Sequence, residues 1–313
     1  MKKTRLFLLI AGILCGAGIL LCAVSFAVMG WDYTRLDPSP ELEQKIYSIS
    51  AGEVREVVLD SDNCAVEVMP SADGDINVVY YMNVYKKFDA VNEGGRLRIS
   101  YEDNWKWEQM FQMFRGLKSA GQPVLIQVPA GFAGDVSVES ENGRIVSEGI
   151  ETAGVLLLDS ENAGIRLSGV SCASLRAGSE NGSIKAEDIR ADSIVLSGDN
   201  ASVTLTNAEG KALALSSKNG RVTAAQVTAA EQAKLKSENG AIKLEAFTSP
   251  NMELESENGS ISGTITGRET DYQISSTAGN GSSNLENRLD VKAPYMLQAK
   301  TKNGSIRLQF TGE

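Results

Sequence analysis

The sequence predicts an all-β protein: a parallel β-solenoid (a β-helix, right-handed) with an N-terminal β cap, preceded by one transmembrane helix. Three observations lead there. A four-residue phrase recurs with a period of 19 or 20 residues, alternating apolar residues flank every copy, and a long uncharged run opens the chain. A fixed period in this range is the mark of stacked repeats.

The opening run comes first. Residues 6–29, LFLLIAGILCGAGILLCAVSFAVM, contain 24 positions without a charge, more than the ~20 that a helix needs to cross the hydrocarbon core. A cleaved signal peptide is the alternative, with Ala23-Val24-Ser25 as its small-x-small site. Its apolar region normally runs only about 7–15 residues, so retention as an anchor is the better reading. Cys15 and Cys22 each follow a leucine, where a lipoprotein signal wants a small residue. Lys2, Lys3 and Arg5 precede the run, and Asp32, Asp37, Glu41 and Glu43 follow it. The positive-inside rule therefore puts the N-terminus in the cytoplasm and everything after Gly30 outside. Gly12 and Gly16 have the GxxxG spacing that brings spanning helices together, although such pairs are common in glycine-rich spans.

The segments expected are a cytoplasmic stub at 1–5, the span at 6–29, a juxtamembrane linker at 30–45, a β cap with the first rung at 46–122 and the solenoid at 123–313. In the cap, Val57 and Leu59 lead into Ser61-Asp62-Asn63-Cys64, and Val66 and Val68 follow. Further strands are expected at 76–81, 96–101 and 124–128, with a turn at Glu93-Gly94-Gly95. Trp107, Met110, Phe111, Phe114 and Leu117 share the spacing of one helix face, with Trp105 beside it. Such a segment can lie on a membrane or seize a partner; the plainer reading is that it covers the open end of the stack.

The array carries the argument. Its phrases place asparagines at 142, 162, 181, 200, 219, 239 and 258, spaced by 20, 19, 19, 19, 20 and 19, and again at 303. Before each phrase, pairs such as Leu156 with Leu158 and Leu213 with Leu215 alternate with polar residues; after it come Ile145, Ile165, Ile184, Val203, Val222, Ile242, Ile261 and Ile306. Period two means strands on both sides of the turn. A third apolar position, at Ile150, Val170, Ile189, Val227 and Phe247, gives each rung another short inward side. Asn-Gly is ordinarily hairpin chemistry, because both residues tolerate left-handed backbone. Constant recurrence once per rung argues instead for parallel stacking, which sets successive asparagines ~4.8 Å apart, within reach of an amide ladder. Asn142, Asn162, Asn181, Asn200, Asn219, Asn239, Asn258 and Asn303 are thus read as a structural turn ladder.

The layout of basic N-terminus, single span, Trp-Asp-Tyr juxtamembrane stretch, early Ser-Asp-Asn turn and Ser-x-Asn-Gly-x-Ile rungs resembles the bacterial putative-adhesin family, a domain of unknown function with β-strand repeats, in its membrane-anchored Gram-positive type. The resemblance covers most of residues 46–313. It implies an envelope-facing protein and supplies no catalytic residue, because the repeated positions belong to turns and core.

Composition narrows the function. A net charge of −10, with no basic cluster beyond the N-terminus, argues against nucleic acid as a partner. The chain has no histidine, which removes the commonest general base and a favoured metal ligand. Cys64 and Cys172 alone lie in the exported part; one disulfide is possible, buried free cysteine is equally ordinary, and no disulfide is the favoured reading. No residue is assigned a catalytic, cofactor or metal role. The expected partners are the membrane, through residues 6–29, and an envelope protein or cell-wall polymer not identified by the sequence. The reading is a non-enzymatic, adhesin-like binding or sensing module; the alternative is a cell-wall polysaccharide-acting enzyme on a β-helix scaffold. That alternative needs paired carboxylates, whereas Glu141, Glu161, Glu180, Glu238 and Glu257 sit beside the turns as solvated charges. A divalent cation along Glu141, Glu161, Glu180 and Asp199 is the weaker idea, against long side chains splaying into water.

Overall fold

The computed structural model describes residues 2–28, 30, 42–82, 86–103 and 122–312. The expected linker, except its ends, and the aromatic face at 105–117 lie outside the described residues. The chain divides into two units, of which the first contributes helix α1 (Lys2–Val28). Its Leu9–Val28 stretch is long and apolar enough to cross a membrane and keeps its side chains exposed.

The second unit is built of strands. β1 (Glu43–Ser50), β2 (Glu56–Ser61), β3 (Val66–Pro70), β4 (Asp75–Met82), β5 (Lys86–Glu93), β6 (Arg96–Asp103) and β7 (Val124–Val128) come first. Then follow β8 (Asp135–Ser140), β9 (Ile145–Glu148) and β10 (Val155–Ser160). The long strands β11 (Ile165–Ser179), β12 (Ile184–Gly198), β13 (Val203–Ser217) and β14 (Val222–Ser237) each turn a corner within themselves. β15 (Ile242–Phe247), β16 (Asn251–Ser256), β17 (Ile261–Ile265), β18 (Tyr272–Ala278), β19 (Tyr295–Thr301) and β20 (Ile306–Phe310) complete the body.

Pairing makes this a parallel β-solenoid. On the first face β6, β2, β8, β10, the C-terminal halves of β11–β14, β16, β19 and β18 stack in that order, all parallel. On the second face the order is β7, β3, β9, the N-terminal halves of β11–β14, β15, β17 and β20. A short third side joins them through the register Glu151, Ser171, Arg190, Glu209, Thr228, Thr248. At the N-terminal end the parallel rule stops: β5 lies antiparallel on β6, β4 on β7, and β1 on β4.

The inward positions read from the period are the core. Leu156, Leu213, Leu215, Ile242 and Leu254 are at most 2% exposed, as are Ile150, Val170, Ile189, Val227 and Phe247 on the third side. Each such side chain contributes roughly 1.5–3 kcal/mol of burial. Stacking copies is what closes this core, because one rung has nothing to pack against.

Two features of the backbone depart from the sequence reading. The turn glycines at 143, 182, 220, 240, 259 and 304 are not left-handed. Their constraint is steric: a Cβ at Gly220 would stand 1.9 Å from the Ala201 carbonyl oxygen, and one at Gly240 would stand 2.0 Å from that of Gly220. A column of left-handed residues lies instead at the other corner, where Gly149, Gly169, Asp188, Asn207, Gln226 and Ala246 stack in register with φ between 48° and 66°.

Candidate functional site

The turn between the two faces carries two ladders of polar side chains. The first residue of the phrase is buried: Ser140, Ser179, Ser217, Ser237, Ser256 and Thr301 are no more than 4% exposed. Each buried hydroxyl must find partners, or its desolvation goes uncompensated. Within its own turn the serine Oγ accepts the N–H three residues on, as in Gly143 to Ser140 (2.9 Å), Gly220 to Ser217 (2.8 Å) and Gly240 to Ser237 (2.9 Å). The same hydroxyls donate across rungs, Ser217 to the Ala201 carbonyl (2.7 Å) and Ser256 to that of Gly240 (3.1 Å).

Outside this buried line, the asparagines form a continuous chain. Nδ2 of Asn142 donates to Oδ1 of Asn63, and Asn162, Asn181, Asn200, Asn219, Asn239 and Asn258 each donate to the asparagine one rung before. Asn303 donates to Asn258 and Asn280 donates to Asn303. All nine bonds measure 2.6–2.9 Å and run in one direction. One direction is required, because reversing a single amide would set donor against donor on one side and acceptor against acceptor on the other. The structure thus joins all eight sequence-selected asparagines and adds Asn63 and Asn280. Asn280 is not marked by the phrase, because its copy reads Ala278-Gly279-Asn280-Gly281 and lies spatially beyond Asn303, although it precedes it in the chain.

Charges beside the ladder differ along the stack. Asp60, Glu139 and Asp159 occupy consecutive rungs of the first face. Burial, with Glu139, Glu180 and Glu161 nearby, raises the Asp159 carboxyl above its ordinary value. Further along, Lys218 pairs with Asp199, Lys234 with Glu253 (2.8 Å), Lys236 with Glu255 (2.7 Å) and Lys302 with Glu257 (2.8 Å). Among the described residues no group of three or more Asp, Glu or Cys side chains converges in a way that could hold a metal. Cys64 and Cys172 are buried and not joined in a disulfide, and burial pushes the Cys172 thiol up to about 11, which leaves it a poor nucleophile.

Two open grooves interrupt the faces. One, of about 380 Å³ on the first face, is floored by Val195, Ala212 and Ala214 and rimmed by Lys234, Glu253 and Met296. The other, of about 510 Å³ on the second face, brings Arg144, Arg166 and Lys185 beside Glu67 and Glu148. These three cations have no ion-pair partner among the described residues, in contrast to Lys211, Lys218, Lys234, Lys236 and Lys302. Sequence reading passed over them. Their signal was positional: Arg166 and Lys185 each stand between two inward residues, Ile165 and Leu167, and Ile184 and Ala186.

The profile of the Toastrack DUF4097 family matches residues 54–293, most of the chain. This chain belongs to the Toastrack DUF4097 family. No curated protein matches it. Among solved structures, a putative adhesin from Parabacteroides distasonis is 14% identical with a TM-score of 0.46, and one from Bacteroides fragilis is 13% identical with a TM-score of 0.43. A further Parabacteroides distasonis structure, described as a putative lipid binding protein, is 13% identical with a TM-score of 0.43. Each comparison covers 87% of this chain and 98% of the other. The family match agrees with the resemblance carried by the Ser-x-Asn-Gly-x-Ile rungs, and in this Toastrack chain those rungs are turn and core positions.

Proposed function

We propose that this Toastrack protein is a non-enzymatic, membrane-anchored binding module of the cell envelope, adhesin-like in that its β body presents a repetitive outer surface to an anionic envelope polymer. The observation that carries the reading is the second-face groove, where Arg144, Arg166 and Lys185 line one surface and, although Glu67 and Glu148 lie in the same groove, none of the three forms an ion pair among the described residues. Guanidinium forks and an ammonium suit phosphate or carboxylate groups spaced along a polymer. Residues 6–29 hold the body to the membrane, with residues 1–5 cytoplasmic, 30–45 a linker, 46–122 a cap and 123–313 the array, outside the cytoplasm. The eight sequence-selected asparagines serve the turns rather than the ligand, because each amide is committed to its neighbours in the ladder.

The test uses the full chain in detergent micelles and isolated cell-wall polymer in a sedimentation assay. Binding is expected to weaken with salt and to fall at least about tenfold when Arg144, Arg166 and Lys185 are all changed to alanine, with thermal unfolding unchanged. Binding indifferent to that triple change overturns the reading.

The same groove supports a second reading, a polysaccharide-acting enzyme. Glu67 and Glu148 line this groove from the paired strands β3 and β9, offset by two residues in register, and a pair of neighbouring carboxylates is what such catalysis requires. Binding is favoured because the groove lies open on a sheet face and has no walls to exclude water from a reacting bond. Release of sugar fragments that stops in Glu67→Gln and Glu148→Gln would reverse the preference.

A further inference from the structure

We infer that Asn280 is a site of spontaneous covalent modification, deamidation through a succinimide closed onto Gly281, and that the rest of the ladder is protected from the same chemistry by its hydrogen bonds. Asn-Gly invites this reaction because glycine has no Cβ to hinder its nitrogen. The backbone nitrogen of the glycine loses its proton and attacks Cγ of the asparagine. The new C–N bond closes a five-membered imide as Nδ2 leaves with a proton as ammonia. Water then opens either carbonyl of the ring to give aspartate or isoaspartate, with no oxidant involved.

The reaction needs a glycine N–H without a partner and a side chain able to swing back over it. In the middle of the array neither is available. The N–H groups of Gly182, Gly220, Gly240 and Gly259 are held by the buried serine hydroxyls at 2.8–3.0 Å. The amides of Asn181, Asn219, Asn239 and Asn258 are bonded to a neighbour on both sides. At the C-terminal end the two protections fall away in order. Asn303 keeps both ladder bonds, but among the described residues no hydroxyl holds the Gly304 N–H. Asn280 has one ladder bond, as donor to Asn303 (2.6 Å), and nothing among the described residues holds its Oδ1 or the Gly281 N–H. The fold also fixes glycine there, since a Cβ at Gly281 would lie 2.0 Å from the Gly304 carbonyl oxygen. At the opposite end Asn63 precedes Cys64, whose side chain hinders the attack and whose N–H is held by Ser61. Asn280 is therefore the end at which the ladder is lost first, and the carboxylate formed cannot donate to Asn303.

The full chain in detergent is aged at mildly alkaline pH and mapped by peptide mass spectrometry. Asn280 should deamidate at least about tenfold faster than Asn219, Asn239 and Asn258, with Asn303 between, because the inner sites react only after local opening. In urea all the Asn-Gly sites should converge on similar rates. A folded chain in which Asn239 keeps pace with Asn280 overturns the inference. Ser237→Ala isolates the hydroxyl: it should accelerate Asn239 alone if the chain stays folded, and no acceleration would remove the serine from the account. If that variant unfolds, every site rises together, and the wild-type order decides.

Discussion

The two ends of the first face carry opposite electrostatics on one backbone. Toward the N-terminal end, Asp60, Glu139 and Asp159 stack acid on acid, and Asp62, Glu141, Glu161 and Glu180 continue this at the turn. Toward the C-terminal end, Lys236 stands between Glu253 and Glu255, Lys300 reaches Glu255, and Lys302 pairs with Glu257. The strand pairing and the inward leucines are the same in both stretches. The difference teaches that charge pairing does not define this fold. Exposed pairs contribute about 0–1 kcal/mol each, far less than the core beneath them.

The largest expected effect tests that shared interior. Leu158 under the acidic stretch and Leu254 under the paired stretch are 1% and 0% exposed. Changing either to aspartate buries an unpaired carboxyl, at an expected cost of about 3–5 kcal/mol. Denaturant unfolding of the full chain should give similar losses for the two. A Leu158→Asp variant much milder than Leu254→Asp would mean that the acidic stretch is loosely packed and the comparison is not one of surfaces alone.

How much of this was legible follows from what a period can encode. Recurrence of Ser-x-Asn-Gly fixed the place of Leu215 or Ile242 within a rung, and the inward positions follow from alternation. It could not say which rung lies beside which. β6 and β7 stack outside β2 and β3, and β19 slips between β16 and β18, because strand pairing at the ends is settled by contacts distant in sequence. The left-handed corner was only partly marked. Gly149, Gly169, Asp188 and Asn207 are types that tolerate a positive φ, but Gln226 and Ala246 are not, and they take the same φ in register with the neighbouring rungs. The turn glycine was recognised for a reason that does not apply, since close approach of the previous rung, not a positive φ, forbids a side chain. The cationic groove was not legible because Arg144, Arg166 and Lys185 come from three successive rungs and occupy outward positions, which the apolar period leaves unspecified.

A smaller effect uses the asparagines as reporters of the local field. Asn239→Ala breaks two ladder bonds and should cost about 1 kcal/mol, leaving polymer binding intact; lost binding at full stability would make the ladder a recognition surface. Aspartate at the same positions should separate the two stretches. Asn162→Asp sets a carboxylate among Glu141, Glu161 and Glu180, whereas Asn258→Asp lies beside the Lys302–Glu257 pair. The first should cost more by roughly 0.5 kcal/mol, a gap that acid should close. Equal costs at neutral pH would show that solvent screens the stacked acids completely.

The smallest effect is a difference of sign. Burial first, then Glu139, Glu180 and Glu161, raises Asp159 above its ordinary 3.8, so the fold favours the protonated form. Its contribution to stability is full below that value and is lost as pH rises through the raised pKa. Glu255 is lowered from 4.5, first by its hydrogen bond from Lys236, with the charges of Lys236, Lys300 and Lys234 adding to it. Its contribution is present above 4.5 and is lost as pH falls through the lowered pKa. Asp159→Asn should therefore stabilise the chain at neutral pH and lose that gain on acidification. Glu255→Gln should destabilise it at neutral pH and lose that deficit over a lower range. Both groups are partly solvated, so each change is roughly a few tenths of a kcal/mol after screening. The readout is thermal unfolding of the two variants and the parent through the carboxylate range. Shifts of the same sign at neutral pH would break the comparison, because the acid stack would then be as stabilising as the paired one.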